Sequence, residues 1–342
     1  MPPTSLDGNA VLSPERPSRF IAAFRYSNAV PVFVWCLLVV LPIYAVLTGE
    51  LYYLTVAARI LIYAIAATAL HFALGLGGLV SLGHALFVGI GAYSVALPVF
   101  YGQDSGLVHL VFAIGVCVIV AAVTGAISLR TSGLGFLMIT LAFAQMGYFL
   151  MVSLKQYGGD DGLPIPMTSQ FVGWRLQSST HVYLVSLAVL GGLTYWMARL
   201  RRSPFGMVLL AAEQNSARVL ASGLTVFHYR LVVYVLSGAV CGIAGVLLAN
   251  LTAYASPATF TLQVSGDLLV MLVIGGVGFT SGPLLGALSF MLLEEVLKSF
   301  TDHWMVILGP IIVLVALLGR GGICGLLERL DQRHKTDERT TR

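Results

Sequence analysis

The chain has 342 residues, 58% of them hydrophobic and only 10% charged, whereas a soluble domain carries about a quarter charged residues. So few charges cannot cover the surface of a soluble fold this long, so composition excludes that class and predicts one membrane domain with short polar tails. The net charge of +4 is small, but 14 of the 19 Lys and Arg residues fall in three places: before the first apolar run (Arg16, Arg19, Arg25), around one internal loop (Arg199, Arg201, Arg202, Arg218, Arg230), and in the C-terminal tail (Arg320, Arg329, Arg333, Lys335, Arg339, Arg342). The positive-inside rule assigns all three to the cytoplasm. Nothing around these residues forms a nucleic-acid-binding pattern.

Residues 1–30 read as a polar, cytoplasmic N-terminal tail. The apolar run from Val30 to Leu47 exceeds a signal-peptide core and has no small-residue cleavage pattern after it, so it reads as a retained transmembrane helix. Further candidate spans lie near 52–74, 78–100, 107–128, 133–154, 181–198, 229–251, 265–280, 283–300 and 304–318, each near the 20 or so residues that cross a bilayer. The total of ten is even and puts both termini on one side, in agreement with the charge placement. The predicted fold is therefore an all-α integral membrane protein of about ten hydrophobic segments. Its membrane domain spans 31–318, with a cytoplasmic loop at 200–228 and a cytoplasmic tail at 319–342.

Two segments are unusual. Gly75, Gly77, Gly78, Gly83, Gly89 and Gly91 crowd the third span, and Gly275, Gly276, Gly278, Gly282 and Pro283 crowd the eighth. Each Gly weakens a helix by about 1 kcal/mol relative to Ala. Broken or re-entrant segments of this kind hold the substrate site in transporters. The competing reading is close helix packing, for which Gly238/Gly242 and Gly278/Gly282/Gly286 have the spacing.

Several chemistries have no sequence basis. Lys155, Lys298 and Lys335 follow Leu154, Leu297 and His334, so no phosphate-binding G-x-x-x-x-G-K-[ST] loop exists in this chain. Zinc-protease and nucleophile-elbow motifs are also missing, and catalysis is not supported. Cys36, Cys117, Cys241 and Cys324 form no C-x-x-C pair, which predicts neither a metal site nor a disulfide framework; no cofactor is expected. The ionisable residues at membrane depth are Arg59, His71, His84, Glu294, Glu295 and Lys298. Such residues mark functional paths, although Arg59 and Lys298 can snorkel and Glu294 can pair with Lys298 four residues on.

Two motifs carry the functional reading. In Gly77-Gly78-Leu79-Val80-Ser81-Leu82-Gly83-His84, Ser81 and His84 are three apart and can share a helical face. Either a solute path or simple hydrogen-bonded packing explains the histidine. In the loop from Arg201 to Arg230, Pro204 can begin a helix and Gly223 can end one. Leu209, Leu210, Val219 and Leu220 give it an apolar stripe that can fill a partner's groove or lie on lipid.

With Thr140-Leu141-Ala142-Phe143-Ala144-Gln145, Gly158-Gly159-Asp160-Asp161-Gly162-Leu163, Ser203-Pro204-Phe205-Gly206, Gly275-Gly276-Val277-Gly278, Gly282-Pro283 and Leu293-Glu294-Glu295, these motifs resemble, in order over residues 50 to 320, the permease subunits of branched-chain amino-acid ABC transporters of the LivM type. The resemblance implies transport of Leu, Ile or Val driven by ATP hydrolysed on another chain. It implies as partners a homologous second permease, two cytoplasmic ATPase subunits and an extracytoplasmic solute-binding protein. The expected location is the bacterial inner membrane. Related systems carry urea or short amides, and an ATP-independent carrier or channel is the rival class. The resemblance makes 203–223 the ATPase-coupling loop, with Ser203, Gly206, Glu213, Asn215 and Gly223 as its marker residues. The chain departs from the family pattern there at Met207, Leu210 and Ser216. Ser81, His84, Gln145, Gly275, Gly276 and Gly278 are the expected lining or support of the translocation path.

Overall fold

In a computed structural model of the protein, the described residues are 26–48, 51–171, 174–176, 178–301, 303–318, 321–329 and 331. Of the predicted tails at 1–30 and 319–342, residues 1–25, 319–320, 330 and 332–342 lie outside them. Each of the ten predicted spans falls on a helix: α1 (Tyr26–Thr48), α2 (Leu51–His71), α3 (His84–Phe100), α4 (Gly106–Ser128), α5 (Leu134–Ser153), α6 (Ser179–Arg201), α9 (Val226–Thr252), α10 (Leu262–Gly275), α11 (Gly282–Phe300) and α12 (Trp304–Leu318). The connection after α6 holds α7 (Pro204–Gln214) and α8 (Ser216–Ala221). Residues 322–329, in the segment read as a tail, form a further helix, α13. The chain is an all-α membrane protein.

Among the described residues, five helices are long and apolar enough to cross a membrane by themselves, and they divide into two kinds. Along their most apolar stretches, α2 with the π turn that follows it and α9 are 72% and 67% buried, whereas α4, α5 and α6 are 28%, 17% and 28% buried. Helices α2 and α9 are therefore the core posts. The apolar outer faces of α4 to α6, including Val111, Phe112, Ile119, Met146 and Phe149, stand exposed, as suits a protein whose solvent is lipid.

Small residues let the posts close up, because lipid supplies no hydrophobic drive between helices. A Cβ on Gly91 of α3 would collide with the Gly242 carbonyl of α9, and one on Gly245 with the Val88 carbonyl of α3. At Gly238 an added Cβ would stand 2.9 Å from Ala121 Cβ of α4. Helices α10 and α11 interlock likewise, with no room for a side chain at Gly286 against the Met271 carbonyl.

Both glycine-rich segments are broken. Helix α2 widens into π geometry over Phe72–Leu76, and the chain then runs without helix until α3 begins at His84. The segment predicted at 265–280 is helical only to Gly275, and a turn at 276–281 precedes α11. On the opposite side of the molecule the two long connections pair through β1 (Leu163–Pro164) and β4 (Tyr254–Ala255), in antiparallel register Leu163↔Ala255. A hairpin of β2 (Gln170–Phe171) and β3 (Trp174–Arg175) lies between β1 and β4 in chain order.

Candidate functional site

The first break rises into the interior of the helix bundle. Its end at α3 sits beside Ser237, 11 residues into the 27-residue α9, or about 16 Å along a helix about 40 Å long at 1.5 Å per residue. Hydroxyls from two helices and one from the break itself satisfy the exposed backbone there. Thr140 Oγ1 of α5 accepts from Leu82 N at 3.3 Å, Ser265 Oγ of α10 accepts from Ala85 N at 3.0 Å, and Ser81 Oγ accepts from Gly83 N at 3.1 Å. Unpaired backbone at this depth costs several kcal/mol per group, so these three hydroxyls are what permit the break.

His84 and Ser81 are fully buried. Ser237 donates its hydroxyl to the Ala69 carbonyl of α2, so its oxygen accepts from His84 Nε2 at 2.7 Å. The imidazole thus carries its proton on Nε2 and joins α3, α9 and α2 in one relay. Phe87 and Tyr234 meet its ring edge-on, at centroid distances of 5.8 and 6.1 Å. Among the described residues Nδ1 has no partner. The structure therefore brings Ser81 and His84 together as a buried knot that fixes where α3 starts. Gln145 is elsewhere: it is half-buried on α5, one position round from the buried face of Phe136, Thr140 and Ala144.

The second break is a turn at the tip of the α10–α11 hairpin. Gly276 has φ +108°, a conformation that favours glycine. Gly275 has no room for a side chain against the Gly282 carbonyl, while Gly278 faces open space. Two side chains hold the turn: His71 Nε2 donates to the Val277 carbonyl at 2.7 Å, and Arg201 Nη1 donates to the Gly278 carbonyl at 2.6 Å.

Arg201 ends α6 and opens the loop predicted to couple to a partner. Ser203 caps α7 by accepting from Gly206 N at 3.2 Å, and Gly206 has no space for a Cβ against the Leu200 carbonyl. The loop differs from the single helix that its end signals suggested. Asn215, at φ −155° and ψ 92°, stops α7, and its Oδ1 accepts from Arg218 N at 3.0 Å to start α8. This is the capping preference of Asn overriding a continuous stripe. Leu209 and Val219 turn inward, whereas Leu220 is exposed. Gly223 follows α8 at φ +85°. Phe205 stacks on Tyr229 at 5.4 Å, and Arg230 Nη2 reaches the Ala212 carbonyl at 3.4 Å, which seats α7 on α9.

Glu213 on α7 lies against the first break. A Cβ on Gly78, where φ is +64°, would stand 3.1 Å from Glu213 Cγ. Partial burial pushes the Glu213 carboxyl above the usual carboxylate range, against the opposing pull of Arg201 and Arg230. Through Glu213 and Arg201 the 201–223 loop touches both glycine-rich breaks, so three motifs far apart in sequence meet at one end of the bundle.

Sequence reasoning missed the partners. Ser237, Ser265 and Thr140 are single hydroxyls in apolar helices; Thr140 opens a motif noted above, but for Ser237 and Ser265 the one signal was their polarity at membrane depth. It also missed Asp267, which accepts from Gln263 at 2.9 Å on α10. The expected Glu294–Lys298 pair forms at 2.5 Å, with Lys298 also 4.8 Å from the Trp304 ring centroid. Arg59 lies 5.8 Å from the Tyr63 ring centroid.

The sequence is 28% identical over 286 residues to the high-affinity branched-chain amino acid transport system permease protein LivM of Salmonella typhimurium, covering 77% of this chain and 67% of that one. The Escherichia coli protein of the same name is 27% identical over the same shares of the two chains. An L-arabinose ABC transporter permease protein, AraH of Azospirillum brasilense, is 31% identical over 41% of this chain and 40% of its own. Residues 52–316 match the family described as branched-chain amino acid transport system / permease component, and this multi-pass membrane chain belongs to that family.

Proposed function

We propose that the chain is the membrane-spanning permease subunit of an ATP-binding-cassette importer in a bacterial inner membrane, and that it carries branched-chain amino acids. ATP is hydrolysed by two separate cytoplasmic subunits, one of which holds α7 and α8. A homologous second permease completes the membrane unit, and a solute-binding protein delivers the solute from the other side, where β1 and β4 pair. Both termini are cytoplasmic.

One observation carries this reading: the loop at 201–223 contacts both glycine-rich breaks, through Glu213 beside Gly78 and Arg201 on the Gly278 carbonyl. A partner that moves α7 moves both breaks together. Ser81 and His84 support the path by fixing the start of α3 at depth, where a helix N-terminus favours an anionic group. Gly275, Gly276 and Gly278 form its inner turn, and Gln145, which stands apart from both, is not assigned to it.

Coupling is tested at Gly223, whose positive φ has open space beside it. Gly223→Val strains the backbone by about 1–2 kcal/mol without a clash. In the complete transporter, solute-stimulated ATP hydrolysis should fall while membrane insertion persists. Unchanged stimulation would remove the loop's assignment. Uptake of leucine, valine, phenylalanine and urea should be compared in cells carrying all subunits, with L-arabinose added because a permease named for it is among the relatives. Uptake by this chain alone would instead favour an ATP-independent carrier.

A further inference from the structure

Behind the α10–α11 turn lies a second feature that the transport reading does not use. Helix α13 packs its first residues onto the turn: a Cβ on Gly276 would collide with the Gly321 carbonyl, and one on Gly322 would stand 2.5 Å from the Ile274 carbonyl. This backbone-to-backbone contact leaves a cavity of ≈ 620 Å³ beside it, within the range of small-ligand sites. Val273, Val277 and Phe279 give it an apolar wall, and Glu328 and Arg329 of α13 line it with one carboxylate and one guanidinium. Neither of these two charges has a hydrogen bond or ion pair among the described residues. Gly325 also lines the cavity, and the space beside it is empty.

We infer that this cavity binds a free amino acid with an aliphatic side chain. The ligand's carboxylate pairs with Arg329, its ammonium with Glu328, and its side chain packs on Val273, Val277 and Phe279. The balanced charge pair selects a zwitterion over a simple anion or cation, because either of those would leave one group unpaired. The cavity shares its wall with the turn that Arg201 and His71 hold, so an occupant stiffens the point where the coupling loop meets α10 and α11. The choice of a branched-chain amino acid as probe rests on the proposed function. The binding measurement uses neither ATPase nor transport, so its failure would leave that function standing.

The test is binding of radiolabelled L-leucine to the purified full chain in nanodiscs. Saturable binding is expected, weakened at least tenfold in Glu328→Gln and in Arg329→Gln and abolished in Gly325→Leu, where a helical side chain fills the empty space. Unlabelled 4-methylpentanoate, which lacks the ammonium, and 3-methylbutylamine, which lacks the carboxylate, should not compete. Absence of leucine binding, or binding unchanged in all three variants, would overturn the site. Competition by either single-charge analogue as strong as that of leucine would overturn the zwitterion assignment. Thermal unfolding of each variant checks its fold. If Gly325→Leu does not fold, the two charge variants, which change exposed or half-buried side chains, decide the matter.

Discussion

The two glycine-rich segments are alike in composition and unlike in structure. The break at 77–83 climbs to the depth of Ser237 and is sealed by hydroxyls from α5 and α10 and by Ser81 within it. The break at 276–281 is a hairpin turn at one end of the bundle, held by His71 and Arg201. Within each segment the glycines also divide. Gly91 and Gly275 serve close packing, whereas Gly78 and Gly276 serve the chain's change of direction. Glycine density marks where a membrane helix is interrupted or crowded, but the depth of the interruption is set by which polar side chains stand ready to meet the freed backbone.

Substitutions can break this contrast, beginning with the largest effect. Gly91→Leu forces α3 away from α9 and should destabilise the chain by about 3 kcal/mol or more, seen as loss of folded protein in the membrane. Gly278→Leu, in open space, should leave the unfolding midpoint almost unchanged; equal loss for both would end the distinction between packing and turning glycines. His84→Ala removes a buried hydrogen bond and leaves a hole among Phe87 and Tyr234, which should cost about 2–3 kcal/mol and lower the unfolding midpoint in detergent.

Arg201→Gln acts on the other break. It loses a charge-assisted bond to an exposed turn, worth about 1 kcal/mol. Its effect should appear in coupling, as a several-fold drop in solute-stimulated ATP hydrolysis with little change in the unfolding midpoint. If the midpoint falls as far as it does in His84→Ala, the two breaks are structurally equivalent after all.

The smallest effect concerns Glu213, whose carboxyl is raised in the folded chain. A raised acid binds more protons folded than unfolded, so its contribution to stability declines as pH rises from the ordinary glutamate value of about 4.3 through the folded value. Glu213→Gln should flatten the pH dependence of the unfolding midpoint in that window. An unchanged slope would mean that α7 does not bury this carboxyl against Gly78.

The ten helical segments were legible because long apolar runs and charge placement are local signals. The ends of the 201–223 loop were legible too, from Pro204 and Gly223. Its division at Asn215 was not, because the stripe of Leu209, Leu210, Val219 and Leu220 suggested one continuous helix while a single capping side chain decided otherwise. The site's polar frame was hidden for a different reason. His84 meets Ser237 across 153 residues and Ala85 meets Ser265 across 180, and no local pattern announces a pairing at that separation. Which glycines pack and which turn was likewise fixed by neighbours remote in sequence.

At the far side of the bundle, the β1–β4 pairing ties the connection after α5 to the connection after α9, with Ile165 N bonded to the Ala253 carbonyl at 2.9 Å and Ser169 N to Asn250 at 2.8 Å. Gly162 fits there because a side chain would press on the Ala255 carbonyl. Such a knot makes the outer ends of α5 and α9 a shared fulcrum. A displacement about that point is largest at the end that holds α7 and the glycine breaks and smallest at the knot itself.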